Sequence, residues 1–427
     1  MATYTDTIGV SGVHGGDLYP NGGDFATIAM WQAASATNVS SGDVYEAVLL
    51  DGPAHSWTDS FPAWDGSTDL DYEIVVRGDK SHEGYWTSAS RDTSGGATIT
   101  MGSNVSWANF GDQNIKVTFR DLVYSSTANY TFYFVNNDVT SGDSGDYSAE
   151  LTWDRCMFIH DETFASTGTL PTFFNFRTGY ESRDPVTGNV SAIGKFTLNL
   201  INCVFENSQA FTWRQFQNSI AGEQSVELEI NYIGCTWQQS SNTTSTNYGG
   251  RLASVDGSYD NKGLDSILRL NLSGCVSDGY PLISGDIITH FASATKYCNM
   301  TDCLWGPTET NFRNQLGDGR AEIVGDFEKF IYTSSNINYS TSFGYTGASA
   351  ANTVSFVETD INSVERNYRQ VAGSLGVDYA SNATMPSVDI TGSTRDATPD
   401  AGAFELLTII TPGDTEITLK VTPINLY

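Results

Sequence analysis

The sequence predicts an all-β chain, a right-handed parallel β-helix (solenoid) with a short N-terminal capping helix and protruding loops. Three observations predict it. One strand–turn–strand pattern recurs six times, five of the six cysteines fall at the same place in it, and the composition leans to β structure, with Tyr 21, Phe 22, Trp 9 and Gly 41 against only 11 Pro. At 427 residues the chain exceeds the size of one compact core. A stacked repeat escapes that limit, because each turn buries its apolar face only against its neighbours.

The organisation expected is an N-terminal segment with a capping helix over 1–35, a parallel β-helix over 36–405 and a strand-like extension over 406–427. Near the N-terminus, the segment from Gly22 to Ala34 reads as a turn feeding a short amphipathic helix, with Asp24 or Thr27 as its cap. A helix there would cover the first open turn and spare the solenoid an unpaired edge. The run from Gly42 to Gly52 alternates and ends in a turn, as a strand does.

The six repeats are Val117–Tyr124, Leu151–Phe158, Leu198–Phe205, Ile230–Trp237, Leu270–Ser277 and Cys298–Trp305. Each reads apolar, x, apolar, x, turn residue, Cys or Leu, x, usually aromatic; only Ser277 breaks the last place. Offsets 0 and 2 point to one side of a strand, and offsets 5 and 7 would point to the other if the strand ran straight. Something must reset the phase. Offset 4 is Asp121, Arg155, Asn202, Gly234, Gly274 and Asp302, and five of these six are residue types that tolerate a left-handed backbone. One such residue turns the chain and lets both short strands face the same interior.

Stacking the corners sets Leu122, Cys156, Cys203, Cys235, Cys275 and Cys303 in one internal column, with a mostly aromatic column beside it. Small thiols pack well in a narrow core, and free buried thiols are the expectation. A disulfide framework and a metal site are the alternatives. Stacked neighbours about 4.8 Å apart point their side chains the wrong way for a disulfide, no Cys-x-x-Cys occurs, and the close pair Cys298 and Cys303 has no His nearby. The repeats start 34, 47, 32, 40 and 28 residues apart. Intervals of that length imply protruding loops rich in Ser, Gly, Asn, Asp and Tyr, where binding normally resides.

At the far end, the segment Thr394–Glu405 closes the series, and Leu406–Ile410 and Glu416–Thr422 read as strand-like runs that would pack on the last turn or on another subunit. The Gly-Asp-Phe-x-Thr-Ile opening at 23–28, the strand ending in Asp51-Gly52, the repeated corners and the closing Asp-Ala-Gly-Ala-Phe-Glu at 400–405 together resemble the right-handed parallel β-helix proteins of the pectate-lyase-like superfamily. Within it the chain resembles the β-helix virion proteins of tailed viruses: spikes, fibres, turrets or decorations. The likeness spans residues 20 to 405 and specifies fold better than function.

That resemblance raises polysaccharide cleavage as an enzyme reading, and the residues do not supply it. Hydrolases of the superfamily carry an adjacent Asp-Asp pair, a Gly-His-Gly and an Arg-Ile-Lys; Asp-Asp is absent here, and His14, followed by two glycines, is preceded by Val13. Asp154, Asp161 and Glu162 could form a glycosidase pair on adjacent turns, but 50 acids place carboxylates near one another without function. Arg177, Arg183 and Arg214 lie close in sequence as surface loops give by chance. His160 and His290 stand apart from any nucleophile pattern. Acidic loops at Asp143/Asp146 and at Asp69/Asp71/Glu73 could hold Ca²⁺, though solvated turns are the commoner explanation. No catalytic, cofactor-binding or metal-ligating residue is therefore assigned, and no cofactor is expected. Nine Asn-x-Ser/Thr sites, at Asn38, Asn104, Asn129, Asn189, Asn242, Asn271, Asn299, Asn338 and Asn382, exceed only slightly the ~6 that composition would give.

The net charge of −29 repels a nucleic-acid backbone and an anionic membrane surface. It also keeps a surface hydrated, in high salt or in an acidic extracellular protein, and only seven of the 21 cations are Lys. No run of 18 apolar residues occurs, so no membrane-spanning segment is expected, and the first residues lack the basic and apolar regions of a secretory signal; either a signal has been removed or, the preferred reading, the protein leaves its cell by another route such as inside a virus particle. The expected role is a structural protein of the virion surface, extracellular, a tail spike or fibre or a capsid turret or decoration. It would form a homo-oligomer, a trimer before a pentamer, contact other virion proteins, and bind a host-surface glycan or receptor. The alternatives are a glycan-cleaving depolymerase, as hydrolase or lyase, and a cellular surface adhesin.

Overall fold

The computed structural model describes residues 3–9, 25–35, 43–50, 55–57, 73–79, 85–87, 97–101, 105–108, 115–126, 130–136, 148–160, 172–178, 194–206, 209–215, 226–238, 253–256, 267–278, 283–284, 295–305, 343–345, 356–358 and 365–406. They are nearly all β, in three long parallel sheets with one short helix. The first sheet has nine strands, from Thr3–Ile8 and Val44–Leu49 through Ile115–Arg120, Ser148–Asp154, Gly194–Ile201, Val226–Ile233 and Ile267–Ser273 to Thr295–Thr301. The second also has nine, including Leu122–Ser126, Met157–His160, Val204–Glu206, Thr236–Gln238, Val276–Asp278 and Cys303–Trp305. The third has six, among them Tyr130–Asn136, Thr172–Thr178 and Gln209–Gln215. Within every one of these sheets the strands follow one another in chain order, so from residue 97 to 305 the chain visits second, third and first sheet in turn and returns one strand further along.

The step from first to second sheet is the corner read from the sequence. Asp121, Arg155, Asn202, Gly234, Gly274 and Asp302 all have positive φ, between 50° and 60°. Five donate their amide to the next circuit, as in Arg155 N to Ile201 O (2.8 Å) and Asn202 N to Ile233 O (2.8 Å), so the bend costs the ladder no hydrogen bond. Arg155 is the residue least suited to that conformation by type. Its guanidinium forks onto Asp121 of the preceding corner through Nε and Nη2 (2.8 and 2.9 Å), which holds it there.

The interior follows from the corner. Leu122, Cys156, Cys203, Cys235, Cys275 and Cys303 are fully buried, and the five thiols are free. Their Sγ atoms reach carbonyls of the preceding circuit, Cys203 to Trp153 O (3.3 Å), Cys235 to Leu200 O (3.2 Å) and Cys275 to Tyr232 O (3.4 Å). Beside them Tyr124, Phe158, Phe205 and Trp237 stack face to face, with centroids 5.2, 4.8 and 5.4 Å apart. A second stack, Phe132 on Phe174 at 5.6 Å, meets it edge-on, and a third, Phe119 on Trp153 at 4.6 Å, meets that second stack edge-on through Trp153 and Phe174. Each such pair adds about 0.5–1.5 kcal/mol to the burial of its area.

At the start, Thr3–Ile8 pairs with Val44–Leu49 as an edge strand that sequence patterning did not single out. Helix Ile28–Ser35 follows, and Thr27, one of the two caps considered, accepts the Met30 amide (3.2 Å); Asp24 lies outside the described residues. The helix buries Ile28 and Trp31, and Trp31 Nε1 donates to the buried Asp6 carboxylate on the edge strand (3.2 Å).

Residues 365–406 do something the repeat pattern did not announce. After strand Glu365–Gln370, which pairs antiparallel with Phe356–Glu358 and Tyr85–Thr87, the segment is a succession of turns over the outer side of the second sheet. Offset 6 of the repeats should face water by parity, yet Val123, Met157, Val204, Val276 and Leu304 are 0% exposed. They are covered by Tyr368, Ile390, Ala401, Ala403 and Phe404 of this strap. Of the C-terminal strand-like runs, everything after Leu406 lies outside the described residues.

Candidate functional site

Of the carboxylates named for catalysis, Asp154 is the one within the described residues, at the end of a first-sheet strand. Asp154 ends its strand in a chain of charges: Arg120 Nε lies 3.1 Å from it, Arg155 Nη1 3.5 Å, and Arg155 in turn grips Asp121. Burial pushes the Asp154 carboxyl up and outweighs the two guanidinium groups, which pull it down. Hydrogen bonding to Asp121 drives the Arg155 guanidinium further up. A carboxylate tied into two arginines on its own sheet is a structural ion network first.

The rest of the sheet's outer face is arranged the same way. Arg77 pairs with Glu46 (2.6 Å), Lys116 with Glu73 (3.9 Å), Lys195 with Glu229 (3.2 Å) and Arg269 with Glu227 (3.2 Å). Glu73, proposed as part of an acidic loop, is on a strand and accepts Thr118 Oγ1 (3.1 Å). Between the charges runs an amide ladder, Asn271 Nδ2 to Asn231 Oδ1 (2.7 Å), Asn231 Nδ2 to Asn199 Oδ1 (2.9 Å) and Asn199 Nδ2 to Thr152 Oγ1 (3.2 Å). Asn271 thus points outward, as a glycan acceptor must, but its amide is engaged in the ladder. Asn382 is exposed on the strap, its Nδ2 donating to Ala397 O (2.7 Å).

Arg177 and Arg214 occupy neighbouring register positions in the third sheet, so two of that trio are brought together in the backbone. Their side chains, like that of His160, lie outside the described residues, as do Arg183, Asp161, Glu162, His290, His14, Asp69, Asp71, Asp143 and Asp146. So do Asn38, Asn104, Asn129, Asn189, Asn242 and Asn338, and the side chains of Cys298 and Asn299. Among the described residues no group of three His, Cys, Asp or Glu could hold a metal ion, and no helix is long and apolar enough to cross a membrane.

A buried ionisable cluster lies in the strap, and the sequence pattern did not reveal it. Arg395 is buried against Glu405 (Nη1 to Oε2, 2.9 Å) and donates to Asp400 O (3.2 Å), Gly402 O (2.8 Å) and the corner residue Asn202 Oδ1 (3.0 Å). Asp400 accepts the amides of Asp378 (2.8 Å) and Leu406 (2.7 Å), and Asp389 accepts those of Thr391 (2.9 Å), Ser393 (3.0 Å) and Glu405 (3.1 Å). Burial pushes the Asp400 carboxyl up to about 7 and raises Glu405 as well. The one available signal was the Asp-Ala-Gly-Ala-Phe-Glu run: its two acids are Asp400 and Glu405, and its glycine is the close-approach point. Gly402 N donates to Gly274 O (2.7 Å), and a Cβ on Gly402 would fall 2.6 Å from Val276 Cγ1 and 2.7 Å from Thr236 Oγ1.

These groups hold a segment in place. The chain matched no family model, no curated protein and no solved structure.

Proposed function

We propose that the protein is a right-handed parallel β-helix serving as a structural component of a virion surface, a tail spike or fibre or a capsid turret or decoration. Its circuits form a stiff scaffold, and segments between the strands bind a host-surface glycan or protein or brace neighbouring subunits. The observation that carries the reading is the cyclic visit to three parallel sheets, with strands stacked in chain order and a file of left-handed corners. A chain built this way is quasi-one-dimensional and rigid, and its inter-strand segments tolerate the long Ser-, Asn- and Tyr-rich inserts the sequence carries.

The net charge of −29 supports an extracellular surface without nucleic-acid partners or membrane insertion. The self-paired charges on the first sheet support a structural role over catalysis. The reading includes a homo-oligomer, a trimer before a pentamer.

Immunogold labelling of virus particles from cultures that carry the gene tests the location: label on the particle exterior is expected, and label confined to cell surfaces would replace this reading with an adhesin. Incubating the purified protein with host-surface polysaccharides tests the chemistry. Retention with unchanged chain length is expected, whereas shortening of the polymer would identify a depolymerase.

A further inference from the structure

The third sheet pairs Tyr130–Asn136, Thr172–Thr178, Gln209–Gln215 and Ala253–Asp256 in parallel register. Phe132 and Phe174 are buried and their rings stack in the core. Alternation from them sets Tyr133, Asn175, Thr212 and Ser254 in one file of the outer face and Val135, Arg177, Arg214 and Asp256 in the next. The first file is uncharged. The second sets Arg177 directly beside Arg214, on strands about 4.8 Å apart.

That pairing departs from the first sheet, where a cation meets a carboxylate of a neighbouring strand: Arg77 with Glu46, Arg120 with Asp154, Lys195 with Glu229 and Arg269 with Glu227. In the third sheet the register gives Arg177 Val135 on one side and Arg214 on the other. The one acid of the file, Asp256, neighbours Arg214 alone. Like charges directly opposite each other on one face cost stability unless an anion is shared between them. A file with two arginines and one acid thus leaves a local positive surplus on a molecule of net charge −29.

We propose that Arg177 and Arg214 form a binding site for a single acid group, a carboxylate or sulfate ester, borne on an otherwise neutral glycan. The inference rests on the glycan-binding reading and gives that binding a chemical class and a place on a sheet. Guanidinium groups match the paired oxygens of such an anion. The summed field of the acidic chain repels a dense polyanion, so isolated acid groups are admitted and crowded ones are not. Asn175, Thr212 and Ser254 in the adjoining file are residue types that exchange hydrogen bonds with sugar hydroxyls.

Chromatography of the full chain on dextran and on sparsely carboxymethylated dextran, at about pH 7 and about 50 mM salt, tests this. A molecule of net charge −29 is repelled by an acidic matrix unless it carries a local site, so delay on carboxymethyl dextran, with none on dextran, is expected. Inorganic sulfate should abolish the delay at an ionic strength where chloride does not. Arg177→Gln and Arg214→Gln should each weaken binding about tenfold. Where those variants fail to fold, Asp256→Asn decides: removing the acid beside Arg214 should tighten binding severalfold. No delay of the native chain, equal displacement by chloride and sulfate, delay that survives both arginine substitutions, or delay unchanged in Asp256→Asn would each overturn the proposal. Retention on host-surface polysaccharides that persists in Arg177→Gln and Arg214→Gln would remove this site and leave the glycan reading in place. A native chain held by carboxymethyl dextran and by no host polysaccharide would keep the anion site and remove that reading.

Discussion

Single residues set the direction of the chain at each corner, and their conformation was readable because parity demanded it. Offsets 0, 2, 5 and 7 can face one interior only if the phase is reset between them, so a left-handed residue at offset 4 was required whatever its type. Arg155 shows the limit of reading by type: an arginine at φ 54° is legible only once Asp121 is known to grip it from the neighbouring circuit. The corners also explain glycines. Gly274 stands at φ +57, and a Cβ there would lie 1.8 Å from Met385 Sδ of the strap. Gly274→Ala should therefore cost at least the ~1–2 kcal/mol of a left-handed alanine, with displacement of Met385 added, read as a lowered urea midpoint. The thiol file gives a second residue-scale prediction. Burial is the largest cause raising the pKa of all five thiols, Cys156, Cys203, Cys235, Cys275 and Cys303, which leaves little thiolate to react. A thiol reagent should label none of them in the native protein and all of them after unfolding. Since their folded pKa values exceed the unfolded value of 9.0, they stabilise fully below it and less as pH climbs above it. The urea midpoint should accordingly fall between about pH 8 and about pH 10, further than in a variant with Cys235→Ala and Cys275→Ala.

At the scale of elements, the strands of the repeats were legible and the strap was not, for one physical reason. A strand stacked on copies of itself must repeat its pattern, and Val117–Tyr124 through Cys298–Trp305 do so. The strap touches unlike surfaces along its length, so it carries no period; Arg395 meets Asn202 across 193 residues, a contact that no local window contains. The edge strand Thr3–Ile8 is weakly marked for a related reason, since threonines alternate with an inward set, Tyr4, Asp6 and Ile8, whose middle member is a carboxylate. The strap's anchoring rests on the buried pair Arg395–Glu405, with side chains 1% and 0% exposed. Removing one partner leaves the other buried without its counter-charge, so Arg395→Leu should destabilise the protein by about 3–5 kcal/mol. Replacing both, as in Arg395→Leu with Glu405→Leu, should cost clearly less than the sum of the single changes; additive losses in a denaturation cycle would show that the pair is not coupled.

For the whole molecule, the strap changes how stability is shared. Strands that pair only with the preceding and following circuit give a chain in which each unit is held by its nearest neighbours, and such arrays lose cooperativity as they lengthen. Residues 365–406 cut across that order. Glu365–Gln370 pairs with Tyr85–Thr87 near the beginning, Tyr368 Oη donates to the buried Glu206, Asn202 is held at both ends of its amide by Val388 and Arg395, and Asp302 accepts the Ser381 amide (3.0 Å) and Thr384 Oγ1 (2.7 Å). One segment is thus fixed to strands and corners from Tyr85 to Asp302, and lifting it exposes the apolar file Val123, Met157, Val204, Val276 and Leu304 that it covers. The full chain should unfold in urea as a single transition, with intrinsic tryptophan fluorescence and far-ultraviolet circular dichroism superimposing. A chain ending at residue 364 should retain the parallel sheets yet lose that coincidence, its two probes separating and its apparent m-value falling as circuits come apart one after another. Superimposed transitions of undiminished slope in the truncated chain would mean that the circuits cohere through their own ladders and aromatic stacks, with the strap a passenger on the second sheet.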